Sequence, residues 1–251
     1  MRKFLLATVL AAGLAGPAFA AGDAPKPPAQ DWSFGGLFGT FDRASAQRGF
    51  QVYKEVCSAC HGMYHLAYRN LAAIGFNEEE VKGIAAMSTV RDGPNDEGEM
   101  FERPGRPSDK FVRPFANEKA ARAANNGAYP PDLSLMTKAR PDGANYVHGL
   151  LTGYAPPPAG VAMGEGMNYN KYFPGHQIAM APPLNENGVT YSDGTPASVD
   201  QMARDVTTFM AWAAEPEMEE RKKTGIKVIL FLLVLTGLLY ATKRKIWAAI
   251  H

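Results

Sequence analysis

The sequence predicts a mainly α exported domain with long loop insertions, tethered by one C-terminal transmembrane helix. Three observations carry that reading. An export signal opens the chain, helical apolar periodicities flank a glycine- and proline-rich middle, and an uncharged apolar run lies close to the end. Residues 1–20 form the signal: Arg2 and Lys3, an apolar run from Phe4 to Leu14, then Ala18-Phe19-Ala20 ahead of Ala21 as a small-residue cleavage site. The exported domain then occupies residues 21–223, the anchor 224–242 and a tail 243–251.

Asp42 is placed to cap a first helix whose apolar positions Ala46, Phe50, Tyr53 and Val56 recur at steps of three and four. From Gly93 to Gly194 the chain is dense in glycine and proline, as in PGRP, YPPD, YAPPPAG, FPGH, MAPPL and SDGTP. That composition specifies irregular loops around short helices, not sheet. Interleaved Tyr, Phe, Leu and Met argue against disorder and for loops packed over a large apolar object. Near the end of the domain, Ser198 with Gln201 resembles a capping box. The helix behind it carries Val199, Met202, Val206, Phe209 and Met210 at helical spacing and stops before Pro216.

The anchor reads VILFLLVLTGLLYAT from Val228 to Thr242, and counting from Gly225 with Lys227 snorkelling gives 18 residues, near the roughly 20 a bilayer needs. A buried core helix is the competing reading. Lys243-Arg244-Lys245 beyond the run fits a cytoplasmic tail, but Arg221-Lys222-Lys223 on the other flank weakens charge as a guide, so orientation rests on the signal.

Cys57 and Cys60 are the only cysteines in 251 residues, and with His61 they spell Cys-Ser-Ala-Cys-His. This is the signature of covalent c-type haem attachment. Two thiols add across the porphyrin vinyl groups, and the histidine that follows lies beneath the iron. A zinc site would need two further soft ligands that the chain lacks. With both cysteines committed, stability rests on packing and on the haem itself. The terminal helices of such a domain are expected to cross at Gly49-Phe50 and Phe209 or Trp212. For the other axial position, His65, His148, His176 and His251 are candidates. So is Met180, in Ile-Ala-Met-Ala-Pro-Pro-Leu, where prolines stiffen the backbone around the thioether.

Removing the six basic residues of signal, anchor and tail from the 26 in the chain leaves 20 against 25 acidic, a formal −5 on the exported part. Nucleic-acid binding therefore has no support. Acidic residues cluster at Glu78-Glu79-Glu80 and through Asp92, Asp96, Glu97, Glu99 and Glu102. Such a run is either a solvated face or, on an electron carrier, a surface that steers a basic partner.

Long blocks of this chain resemble one family, cytochrome c1, the haem subunit of bacterial-type ubiquinol:cytochrome c oxidoreductase, the bc1 complex. They are Trp32-Ser-Phe with Phe38-Gly-Thr-Phe, RGFQVYKEVCSACHGM, AYRNL, DGPNDEGEMFERPGRPSD, ARAANNGAYPPDLS, LLTGY, YFPGHQIAMAPPL, DGTP, FMAWAAEPE and the basic-flanked anchor. The resemblance implies a class I cytochrome c-like haem domain with one haem c on Cys57 and Cys60. It implies Met180 as axial ligand opposite His61, and Arg140 facing a haem propionate. It also implies Asn125, Pro130, Pro131, Tyr146, Phe173 and Ile178 as pocket lining. The implied electron donor is a Rieske iron–sulfur protein, the acceptor a soluble c-type cytochrome, and the membrane neighbour cytochrome b in a dimeric complex. The implied location is the bacterial inner membrane, single-pass, with the haem domain on the periplasmic side. A free-standing membrane-anchored carrier shares every feature except the family blocks. Some bacterial members add a cysteine pair that clamps the haem domain, and this chain has none.

Overall fold

In the computed structural model, residues 25–248 are described; the signal at 1–20 and His251 lie outside them. The first helix, α1 (Arg43–Val52), starts where Asp42 accepts a hydrogen bond from the Ser45 amide at 3.1 Å. It continues without a break into a π turn, Tyr53–Cys57, that delivers Cys57. The widened turn is a device common at functional sites, and helical periodicity alone does not reveal it.

Short elements follow: α2 (Glu78–Ala86), β1 (Thr89–Asp92), β2 (Phe101–Pro104), α3 (Glu118–Ala124), α4 (Met136–Ala139), α5 (Gly143–Thr152), β3 (Asn168–Tyr169) and β4 (Gln177–Ile178). The soluble part closes with α6 (Val199–Ala214). The expectation of no sheet is corrected by two antiparallel ladders, β1 with β2 and β3 with β4. Turn chemistry and ion pairs make them. Asn95 accepts from the Glu97 and Glu99 amides at the tip of the first hairpin, and Arg103 bridges the carboxylates of Asp92 and Asp109. Neither ladder exceeds four residues a strand, too short for alternation to announce it.

The core is the crossing of α1 with α6. A Cβ on Gly49 would stand 2.8 Å from the Phe209 Cβ and on top of the Asp205 carbonyl, so only glycine lets the backbones approach this closely. Phe50 meets Phe209 edge-on at 5.6 Å, and Phe209 stacks on Trp212 at 5.7 Å. The same contact buries Asp205 completely. Its carboxylate accepts from Ser45 Oγ at 2.7 Å and Arg48 Nε at 2.9 Å, which satisfies the charge. Ser198 Oγ caps α6 by accepting from the Gln201 amide, while Glu186 takes the Val199 N–H. The first-turn donors are thus shared between Ser198 and a loop carboxylate.

Only Glu215–Glu217 separates α6 from the last helix, α7 (Met218–Trp247). Its apolar stretch is exposed on every side, Phe231 at 65% and Leu238 at 62%, which rules out the core-helix reading. Thirty residues extend about 45 Å, enough to span and protrude. The backbone runs straight through 223/224 and 242/243, so those boundaries mark changes of composition along one helix.

Candidate haem site

Cys57 and Cys60 are folded into one turn by the Cys60 and His61 amides, which both donate to the Cys57 carbonyl at 3.1 and 2.9 Å. Burial pushes the Cys57 thiol up to about 12, so a neutral sulfur belongs there, as a thioether would be. His61 follows with Nδ1 2.7 Å from the Pro131 carbonyl oxygen. A carbonyl can only accept, so Nδ1 carries the proton and Nε2 keeps its lone pair. Burial also holds the imidazole below its ordinary value, favouring the neutral, ligating form.

Pro131 is held in register by a seam between residues 62–65 and 132–134. Leu133 N–H donates to the Gly62 carbonyl at 2.8 Å, Tyr64 N–H to Asp132 Oδ2 at 2.8 Å, and His65 N–H to Ser134 Oγ at 3.1 Å. An open cleft beside Cys60 is lined by Gly62, Arg113, Phe115, Tyr129 and Pro130. Asn125 is half-buried and turns its amide back onto the Ala121 carbonyl at 2.7 Å.

Met180 is fixed from the other direction. Tyr154 Oη donates to the Met180 carbonyl at 3.0 Å, and burial beside Tyr146 keeps the Tyr154 hydroxyl protonated well above its usual range. Tyr146, 9% exposed on α5, is close enough to the exposed Arg140 for that guanidinium to oppose the upward push of burial on its hydroxyl. Phe173 and Ile178 belong to the same loop system. Its hub is the fully buried Asn170, whose Oδ1 accepts from the Tyr172 and Phe173 amides while Nδ2 donates to the Leu150 carbonyl at 2.8 Å. Ile178 pairs with Asn168 in the β3–β4 ladder.

The site residues therefore fall into two sets: Cys57, Cys60, His61, Pro130 and Pro131, and separately Arg140, Tyr146 and Met180, linked through Tyr154. Cys57, Met136 and Tyr146 pack on one apolar cluster, which brings the two sides of the domain to a common core. Among the candidate histidines, His148 is buried against Asp200 at 3.0 Å and His176 Nδ1 lies 3.2 Å from the Asn170 carbonyl; both are engaged in structure. Sequence reasoning missed Tyr154 and Asn170, which sit in the LLTGY and MNYNKYF stretches without a chemical signature of their own. It also missed Tyr64, whose ring carries Lys110 Nζ at 3.8 Å and the Arg113 guanidinium at 4.0 Å.

The donor set fits a covalent haem: two thiols on one turn, a histidine with its tautomer fixed, and an aromatic-lined cleft alongside. Among the described residues no three His, Cys, Asp or Glu gather as a separate metal site. Comparison with known proteins agrees with the chemistry. Residues 32–250 match the Cytochrome C1 family. Cytochrome c1 of Rhodospirillum rubrum is 53% identical over 234 residues, covering 87% of this chain and 86% of that one. A mitochondrial cytochrome c1 haem protein of Arabidopsis thaliana is 55% identical, covering 90% of this chain and 73% of its own length. Cytochrome b/c1 of Bradyrhizobium diazoefficiens is 52% identical across 90% of this chain, which spans 36% of that longer protein. Family match, relatives and site chemistry converge, and the chain belongs to the cytochrome c1 family, the single-pass, haem c-bearing electron-transfer subunits of the bc1 complex.

Proposed function

We propose that this chain receives an electron from a Rieske iron–sulfur protein and gives it to a soluble c-type cytochrome, with His61 and Met180 as the axial ligands of its haem. The observation that carries the reading is the Pro131 carbonyl on His61 Nδ1, which leaves Nε2 bare and aimed by a fixed backbone atom. When bound, the haem supplies a one-electron iron couple. The residues do the rest. With His61 and Met180 both holding the iron, neither substrate nor dioxygen would find a free position, and the chemistry would be electron exchange. A thioether ligand and a water-poor pocket both favour the reduced form. Tyr146, Phe173 and Ile178 would supply that apolar lining, and Arg140 would neutralise a propionate. Asn125, Pro130 and Pro131 shape the histidine side.

Residues 1–20 would be cleaved, 21–223 would lie in the periplasm, 224–242 would cross the inner membrane, and 243–251 would remain inside. The name of the Bradyrhizobium relative, Cytochrome b/c1, supports cytochrome b as the membrane neighbour; that the complex is dimeric belongs to the same proposal. The acidic hairpin tip would guide the soluble acceptor. Gentle purification from native membranes tests the whole reading. A b-type haem that co-purifies with a covalent haem reducible by quinol is expected; a lone covalent haem that quinol cannot reduce would leave a free-standing carrier instead.

A further inference from the structure

Residues 32–41 form a stiff loop with a divided set of apolar side chains. Gly35 N–H donates to the Trp32 carbonyl at 2.8 Å and Thr40 N–H to the Ser33 carbonyl at 3.0 Å, closing the loop on itself. Trp32, Phe34 and Phe41 stack inward, with ring centroids 5.3 and 5.2 Å apart along the series. Leu37 and Phe38 face solvent at 58% and 80% exposure, and Phe38 is the most exposed large apolar side chain of the described residues. The tip is built for this. Gly36 has a φ of +63°, and a Cβ on Gly39 would collide with the Gly35 backbone, so the chain folds tightly behind two apolar side chains that touch little of their own protein.

The loop is fastened to the base of α7. Lys222 Nζ donates to the Phe34 carbonyl at 2.8 Å and the Gly39 carbonyl at 3.1 Å, so it grips the residue next to Phe38. Glu219 accepts from the Phe41 amide at 2.8 Å and pairs with Arg43 at 2.9 Å. Lys222 precedes Gly225 by three residues and Val228 by six, about 4.5 and 9 Å along the helix axis. The loop that carries Leu37 and Phe38 is therefore fastened within two turns of the first residue of the apolar run.

We infer that the Leu37–Phe38 tip is a second membrane contact, seated in the headgroup and upper acyl region beside the span. The occupant is lipid because the loop is fastened to the helix that enters the membrane, within two turns of its apolar run. An aromatic at that depth is favoured at a bilayer interface. Of the basic residues here, Arg221 is paired with Glu215 and Lys222 holds the loop, which leaves Lys223 to meet lipid headgroups. A single helix would let the domain rock; the tip and α7 together set its height and tilt, and so the position of its haem above the membrane. The inference rests on α7 as the span, and its test reports on that separately.

In the haem-loaded full chain both native cysteines are consumed by thioether bonds, so an introduced cysteine is the one free thiol. Spin labels at Phe38→Cys, at Leu37→Cys and, on α7, at Val234→Cys would be read in bilayer nanodiscs containing anionic lipid, against oxygen and a water-soluble nickel chelate. The expected result is an oxygen-to-chelate accessibility ratio for the Phe38 and Leu37 labels several-fold above that of free label in water and below that of the Val234 label. High chelate accessibility at both loop positions, with the Val234 label in lipid, overturns the inference and leaves the span intact. Shielding from both probes overturns it too, because a protein surface, a second copy or another subunit, would then cover the tip. Chelate access at Val234 would instead overturn the span and the inference together.

Discussion

The Nδ1 of His61 lies 2.7 Å from the carbonyl oxygen of Pro131, seventy residues along the chain. That bond decides which nitrogen is free. Pro131 has no side-chain donor or acceptor, so the interaction survives any change that preserves the backbone path, and it depends on the seam through Asp132, Leu133 and Ser134. The second ligand candidate is anchored the same way, by Tyr154 on the Met180 carbonyl. In both cases a backbone carbonyl holds the residue, at His61 through the ring itself and at Met180 through the main chain.

Tyr154→Phe removes that hydroxyl and keeps the ring. The lost bond is worth about 1 kcal/mol, and its loss loosens the Met180 loop while leaving His61 untouched. The thioether-to-iron charge-transfer band of the oxidised protein is expected to fade on warming at a lower temperature than in wild type. The c-type spectrum of the reduced protein stays in place. An unchanged band would assign Tyr154 to packing alone.

Gly49→Ala places a methyl into the α1–α6 crossing against the Asp205 carbonyl and Phe209. Overpacking at such a site costs about 2 kcal/mol, which for a domain near 200 residues lowers the melting midpoint by roughly 6 °C. Calorimetry of the haem-loaded protein checks it, and an unaltered midpoint would mean the helices separate freely.

The acidic residues divide by what holds them. Glu78 and Glu79 both pair with Lys82, and Glu80 closes a capping box with Asn77, so α2 keeps part of that charge for itself. Asp96, Glu97 and Glu99 stand in solvent at the β1–β2 hairpin tip. Neutralising the tip triad to Asn or Gln should slow reduction of soluble cytochrome at low salt more than Glu78→Gln with Glu79→Gln, and should flatten the salt dependence. Equal rates for all variants across a salt series would make both clusters merely solvated surface.

His148 is 3% exposed on α5, and burial holds its imidazole below the ordinary 6.5 even though Asp200 pulls the other way; Arg204 on α6 adds to the depression. Below about pH 6.5 the unfolded chain therefore takes up a proton that the folded protein refuses, so stability drops as the solution is acidified from that point towards the folded-state value. His148→Gln should flatten the loss in denaturant melts recorded between pH 7 and 5. A parallel loss in wild type and variant would assign the acid sensitivity to other groups.

What the sequence made legible is what is contiguous. Asp42 and the spacing through Phe50 announce α1, the uncharged run announces α7, and Cys57-Ser-Ala-Cys60-His61 carries its chemistry in five letters. Gly49 was readable as a crossing because c-type haem domains cross their terminal helices at a glycine and an aromatic, and Gly49-Phe50 offers both. The π turn before Cys57 is hidden, since 3.6-residue periodicity cannot distinguish it over five residues. The ladders are hidden because Asn95 and Arg103 make them through turn and ion-pair contacts and not through alternation. Tyr154, Asn170 and the Lys222 grip on residues 34 and 39 are hidden for a deeper reason: each acts through a backbone carbonyl far along the chain, and carbonyls leave no trace in the alphabet.

Met180 as the proposed second donor to the iron is addressed by one substitution. Potentiometry and carbon monoxide binding would be compared for wild type and Met180→Leu in the purified complex. Wild type should keep a high potential and refuse carbon monoxide, while the variant should lose much of that potential and bind the gas. A variant that holds the wild-type potential and still excludes carbon monoxide would contradict the assignment, and a wild-type protein that binds the gas at once would contradict the closed, electron-only site.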